Sequence, residues 1–188
     1  MSAESPNERS SPDALLNQVQ RLQAELLRTQ QELAAAKQRA LLAEELALVD
    51  PLTGLPNRRA WELALAREDQ RCRRANHAAA IICLDLDRLK EENDSSGHAA
   101  GDELLQHTAD ALRKAIRAQD FAARLGGDEF GILLVECAGE CVPAIIERLR
   151  TTLAEAGVAA TLGWAARTND ADLHATWRKA DQAMIAAK

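Results

Sequence analysis

Two acidic residues, Asp128 and Glu129, follow directly on Gly126-Gly127, between an apolar run ending at Leu125 and another beginning at Phe130. Glycine accepts positive φ without a Cβ clash, so Gly-Gly between two strand-like runs predicts a tight β-hairpin turn. The hairpin tip then carries paired negative charge beside backbone that a ligand can approach closely. Such a pair suits a divalent cation carrying a polyphosphate, because hard cations take oxygen ligands and share them with phosphate and water. A second acidic pair, Asp85 and Asp87, closes an apolar run from Ala78. Carboxylates at the end of a buried strand are held rigidly at the rim of a sheet, where a metal ligand is useful. Their competing use is to cap the helix that follows.

The elements that must position these acids are legible in chain order. Residues 1–12 are rich in Ser, Pro, Glu and Asn and are expected to be disordered. Residues 13–49 have no Gly or Pro, and Leu15, Val19, Leu22, Leu26, Thr29 and Leu33 step by alternating four and three, as do the alanines after them. That heptad seam predicts a long coiled-coil helix, roughly 50 Å at about 1.5 Å per residue. The alternative is a single amphipathic helix packed on its own domain. Leu42, Leu46 and Val49 make a bulkier line out of phase with the seam, which predicts weaker or adjustable pairing there. Pro51, Gly54 and Pro56 then break the helix, and Asn57 is placed to cap the next one, from Arg58 to about Arg73. A strand from Ala78 to Leu86, a short helix from Arg88 to Asp94 and a loop Ser95–His98 follow. Then come a helix from Gly101 to about Arg117, the hairpin strands 120–125 and 130–135, a helix to about Ala156, a strand 158–166 and a helix 173–188. This order implies an α/β (α+β) domain whose mixed, mostly antiparallel sheet is covered by helices.

Several spaced motifs in residues 49–188 resemble the GGDEF family, the diguanylate cyclases. They are Asp50-Pro51-Leu52-Thr53-Gly54-Leu55-Pro56-Asn57-Arg58-Arg59, the block from Asp85 to Asp102 (D-x-D-x-x-K-x-x-N-D-x-x-G-H-x-x-G-D), and Gly126-Gly127-Asp128-Glu129-Phe130. The resemblance implies a nucleotidyl-cyclase, ferredoxin-like fold and condensation of two GTP molecules into cyclic di-GMP with release of two pyrophosphates. It implies that Asp85, the Leu86 carbonyl, Asp128 and Glu129 hold Mg²⁺, with Mn²⁺ as an alternative. Asp128 is also cast as general base, although a carboxylate on Mg²⁺ is a poor base. Lys90 would stabilise phosphate charge; by composition alone it is a solvated surface lysine. Asn93 and Asp102 resemble the guanine-reading pair, and a carboxylate suits the N1–H and N2–H₂ edge of guanine but repels adenine N1. His98 resembles a substrate-contacting histidine, Gly126 and Gly127 would let backbone approach the phosphates, and Lys188 would bind phosphate. Arg117 and Asp120 match an R-x-x-D product-inhibition site, with Arg148 at the spacing of its second arginine. The plain alternative for R-x-x-D is an exposed ion pair at a helix end.

The sequence also departs from the family pattern. Thr161-Leu162-Gly163 stands for S-I-G, the last helix lacks the family's Tyr, and no G-R-N follows Lys188. The expectation is either a trimmed chain or weakened nucleotide binding. A catalytically weak GGDEF domain acting as a cyclic di-GMP or GTP receptor is therefore the runner-up to an active cyclase.

Composition narrows the remaining classes. The 188-residue chain has a net charge of -6, no Tyr and two Phe, which disfavours a nucleic-acid platform. Cys72, Cys83, Cys137 and Cys141 match no zinc spacing and read as thiols in a reducing cytoplasm. The longest apolar run is too short to cross a bilayer. The expectation is a cytoplasmic homodimer, joined through the coiled coil and without membrane or nucleic-acid partners.

Overall fold

The computed structural model describes residues 12–168 and 171–188. The expected disorder of residues 1–12 thus falls outside the described residues except at Pro12. The chain divides into two units, Met1–Ala47 and Leu48–Lys188.

In the first unit, helix α1 spans Pro12–Leu46. Leu15, Val19, Leu22, Leu26 and Leu33 are each about half exposed, as are the neighbouring Leu16 and Leu27. The shifted line through Leu42 and Leu46 involves side chains outside the described set.

The second unit runs α2 (Arg58–Ala75), β1 (Ala79–Leu86), α3 (Leu89–Ser96), α4 (His98–Ala115), β2 (Phe121–Gly126), β3 (Glu129–Val135), a 3-10 turn (Gly139–Cys141), α5 (Val142–Glu155), β4 (Ala160–Ala166) and α6 (Leu173–Ala187). The sheet order is β2-β3-β1-β4, the ferredoxin-like arrangement, and among the described residues every pairing is antiparallel, without the parallel component of the expected mixture. Two boundaries also differ from the sequence reading. Ser95 and Ser96 belong to α3 and His98 begins α4, so the expected loop shrinks to Gly97. In the hairpin, Gly126 pairs with Glu129, and the two-residue turn is Gly127-Asp128 rather than Gly-Gly. Gly127 takes φ +52, which the missing Cβ makes easy.

Strand parity decides which layer each side chain reaches. On β1, Ala80, Ile82, Leu84 and Leu86 join a core with Leu105 and Leu112 of α4 and Ile145 and Leu149 of α5. Ala79, Ile81 and Cys83 join the opposite cluster, with Trp61 and Leu65 of α2 and Leu173, Ala180 and Met184 of α6. All eight β1 residues are buried, the physical reason for its unbroken apolar run. At Gly163 an added Cβ would stand 2.0 Å from the Met184 backbone nitrogen, so this glycine admits α6 onto β4. Asn57 caps α2 as expected, accepting the Ala60 N–H at 3.1 Å. All four cysteines are free thiols.

Candidate active site

Asp85 is the seventh residue of β1, and its parity aims it toward the α2 and α6 side. Its direct cross-strand partner on β3 is Glu129, and on β4 it is Thr161. Opposed residues of an antiparallel pair share a face with Cβ atoms about 5 Å apart, and like charges there repel. Asp85 is only 6% exposed. Its Oδ1 lacks a well-directed hydrogen bond but lies 2.6 Å from Lys188 Nζ, a short ion pair rather than an aligned one. Asp85 in turn holds the Lys188 ammonium above its ordinary range.

Asp128 joins them through the backbone. Leu86 N–H donates to the Asp128 carbonyl at 3.1 Å, which ties the hairpin tip to the end of β1. Glu129 is pushed above the ordinary carboxylate range, first by desolvation and then by Asp181, Asp85 and Asp128, with Arg58 opposing. These acids therefore meet at one end of the sheet in a field that favours added positive charge. The donors are hard oxygens from two strands and a turn, and that set fits Mg²⁺. Among the described residues no three His, Cys, Asp or Glu side chains enclose an ion by themselves.

Asp87 is not a helix cap. Its carboxylate accepts the Thr161 hydroxyl at 2.8 Å and its N–H donates to the Ala159 carbonyl, so it anchors β4 beside the site. The cap position of α3 is Arg88, which supplies no side-chain cap bond.

Asn93 on α3 lies against Gly101 of α4, the residue before Asp102, because that glycine leaves room. A Cβ there would lie 2.1 Å from Asn93 Oδ1. Asp102 is exposed and Asn93 half-buried. Lys90 and His98 are exposed on the same two helices.

Arg117 and Asp120 also meet, though not as an ion pair. Arg117 N–H donates to Asp120 Oδ2 at 3.0 Å, and Asp120 Oδ1 accepts the Val135 N–H. This leaves the Arg117 side chain exposed. Arg148 Nε donates to the Ala115 carbonyl at 2.6 Å, which brings α5 to the end of α4, two residues before Arg117.

Arg124 is the positioning residue that sequence reasoning missed. Its Nε and Nη2 donate to the Gly127 carbonyl at 3.1 and 2.8 Å, and Nη1 reaches Asp50 at 3.2 Å. Asp50 also accepts the Thr53 hydroxyl and N–H. Asp181 was missed as well. With Arg58, Trp177 and Arg178 it borders a cleft of about 290 Å³ that opens beside Glu129. The traceable signal for Asp50 was its motif, which does not say what its acid faces.

Comparison with known proteins gives a consistent picture. The family described as "Diguanylate cyclase, GGDEF domain" matches residues 47–188. The chain is 38% identical over 151 residues to diguanylate cyclase DgcP of Pseudomonas aeruginosa, covering 76% of this chain and 22% of that protein. It is 33% identical over 147 residues to diguanylate cyclase DgcS of Shewanella oneidensis, covering 76% of this chain and 50% of that one. The chain thus spans no more than half the length of these curated relatives. The crystal structure of the coiled coil and GGDEF domain of DgcB from Caulobacter crescentus, in complex with c-di-GMP, superposes with a TM-score of 0.82 at 25% identity. That superposition covers 88% of this chain and 93% of that one. With the acid pair on β1 and β3 and a family match across the whole second unit, this chain belongs to the GGDEF family of diguanylate cyclase domains.

Proposed function

We propose that the domain condenses two GTP molecules into cyclic di-GMP and two pyrophosphates, working as a homodimer in the cytoplasm. The observation that carries this reading is Asp85 opposite Glu129 in the β1–β3 register, with the Asp128 turn tied to Leu86. Two carboxylates placed face to face are costly unless a cation is held between them and its polyphosphate.

Asp85, Asp128, Glu129 and the Leu86 carbonyl would hold Mg²⁺, or Mn²⁺, which when bound neutralises charge on the phosphates. Lys188, at the α6 end and already against Asp85, supplies a further cation to the same phosphates. Lys90 adds positive charge from α3. Asn93 and Asp102 orient guanine, with the Asp102 carboxylate accepting from N1–H and N2–H₂. His98 borders the same helices. Gly126 and Gly127 leave open space where a side chain would stand between backbone and phosphate. In each half-reaction a 3′-oxygen forms a bond to the α-phosphorus of the other GTP, and the bond to pyrophosphate breaks.

One domain holds one GTP, so two must face each other. The half-exposed leucine seam of α1 supports a parallel partner helix that raises the effective concentration of the second site. Arg117, Asp120 and Arg148 form the proposed inhibitory site for cyclic di-GMP, with the exposed Arg117 fork free to grip phosphate or the guanine Hoogsteen edge. No described helix is long and apolar enough to cross a membrane.

Incubation of the full chain with Mg²⁺ and GTP, followed by chromatography, tests this reading. Cyclic di-GMP and pyrophosphate in a 1:2 ratio support it. GTP or cyclic di-GMP binding without turnover selects the receptor reading instead.

A further inference from the structure

We propose that Cys137 and Cys141 form an oxidation site, where a peroxide converts the two thiols into an intrachain disulfide across the turn from β3 to α5. Nothing in the cyclase reading requires this bond, and its test does not depend on turnover.

The geometry begins at the exit of β3. Glu136 takes φ +51, a left-handed conformation uncommon for a residue with a Cβ. Its carboxylate is flanked by His77 Nδ1 at 3.2 Å and Arg71 Nη2 at 3.6 Å. The reversal sends Cys137 inward: it is 4% exposed, and its N–H donates to the Ala78 carbonyl. The chain then doubles back through the 3-10 turn Gly139–Cys141. The Ala138 carbonyl accepts the Cys141 N–H at 2.9 Å and the Cys137 thiol at 3.5 Å. Both cysteines therefore converge on one oxygen. Burial first, then Cys141 and Asp120, push the Cys137 thiol above its ordinary range. Cys141 is exposed at the start of α5, so it is the sulfur that solvent-borne oxidant meets.

The chemistry balances with hydrogen peroxide as the two-electron oxidant. Cys141 Sγ attacks one peroxide oxygen, the O–O bond breaks, and Cys141 becomes a sulfenic acid as water leaves. Cys137 Sγ then attacks the Cys141 sulfur and the S–O bond breaks. The departing hydroxide takes the Cys137 proton as a second water. The outcome is one S–S bond spanning a turn whose ends lie in β3 and α5. Cys72 and Cys83, buried in the opposite core cluster, serve as internal controls.

The test treats the full chain with hydrogen peroxide, blocks free thiols and maps tryptic peptides by mass. No Lys or Arg lies between Leu125 and Glu147, so both cysteines fall in the 125–148 peptide. Expected is a loss of about 2 Da from that peptide, reversed by dithiothreitol. Amide exchange across residues 138–141 should slow in the oxidised form. Cys137→Ser and Cys141→Ser should each abolish the loss, whereas Cys72→Ser should leave it. Gains of oxygen on the peptide without the 2 Da loss would overturn the proposal. So would chains cross-linked through Cys141, or an untouched peptide. The wild-type mapping decides the matter even where a buried-cysteine variant folds poorly.

Discussion

Arg124 bridges Asp50 and the turn that carries Asp128. One guanidinium nitrogen stands 3.2 Å from the Asp50 carboxylate while two others hold the Gly127 carbonyl. Asp50 follows the segment that leads out of α1, and Gly127 precedes the proposed metal ligand. A single planar fork therefore ties Asp50 to the turn that carries Asp128. Both side chains are largely shielded, at 15% and 19% exposure. Arg124→Ala should cost about 2–4 kcal/mol, since it strands a shielded carboxylate and an accepting carbonyl. Arg124→Lys keeps the charge but lacks the fork. It should recover most of the stability and little of the turnover. Urea unfolding and initial rates of cyclic di-GMP formation separate the two effects. Equal turnover in Arg124→Lys and wild type would remove the fork from the account.

The same contact predicts an acid limit. Burial raises the Asp50 pKa, but the Thr53 hydroxyl, the Thr53 N–H and Arg124 outweigh it and leave Asp50 below the ordinary 3.8. A carboxyl depressed in the folded state stabilises the fold above the unfolded pKa, and the contribution disappears as pH falls through the folded one. The urea midpoint of the wild type should fall more steeply than that of Asp50→Asn as pH drops from about 5 to about 3. Parallel curves for the two proteins would show that Asp50 plays no part.

Glu129 has the opposite sign. Its pKa is raised, so its charged form is disfavoured in the fold above that pKa, and the penalty is relieved as pH falls or as a cation binds. Glu129→Gln should therefore melt higher than wild type without Mg²⁺ at neutral pH, and Mg²⁺ should close the gap. Turnover should drop about a hundredfold or more if Glu129 holds the metal as proposed, because such an oxygen supplies several kcal/mol of charge stabilisation. A lower melting temperature in Glu129→Gln would indicate a structural role for this acid.

Gly101 and Asp102 predict separable losses. Gly101→Ala drives a Cβ into the Asn93 amide, so it should raise the KM for GTP with the fold intact. Asp102→Ser removes the carboxylate proposed to distinguish guanine from adenine. The preference for GTP over ATP should shrink by about tenfold to a hundredfold, with unfolding unchanged because Asp102 is exposed. Competition assays with both nucleotides read this directly, and an unaltered preference would assign base recognition elsewhere.

Gly163→Ala tests the fold that carries Lys188. The added Cβ would stand 2.0 Å from the Met184 nitrogen and 2.5 Å from the Ala180 carbonyl, both backbone atoms. Overpacking of this kind typically costs about 1–3 kcal/mol. Because α6 must move, the Lys188–Asp85 contact should loosen and phosphate affinity fall with it. Wild-type stability in this variant would mean that α6 does not seat on β4 as described.

Local chemistry in the chain was enough for much of this molecule. The unbroken apolar run of β1 implied burial on both faces, Asn57 announced its helix cap, and the spaced acids, Asn93 and Asp102 carried the family resemblance. These features depend on residues near one another in sequence, whose periodicity and hydrogen-bonding needs are readable from types alone. Tertiary structure decided the rest. Sheet order made Asp85 the opposite number of Glu129 rather than a cap, and pairing register moved the turn onto Gly127-Asp128. It also gave Arg124 its reach to Asp50, 74 residues away, and seated Lys188 against Asp85. Contacts between distant segments arise from packing geometry and register, in which a shift of one residue reverses the face a side chain occupies. A linear pattern does not encode which pairing wins.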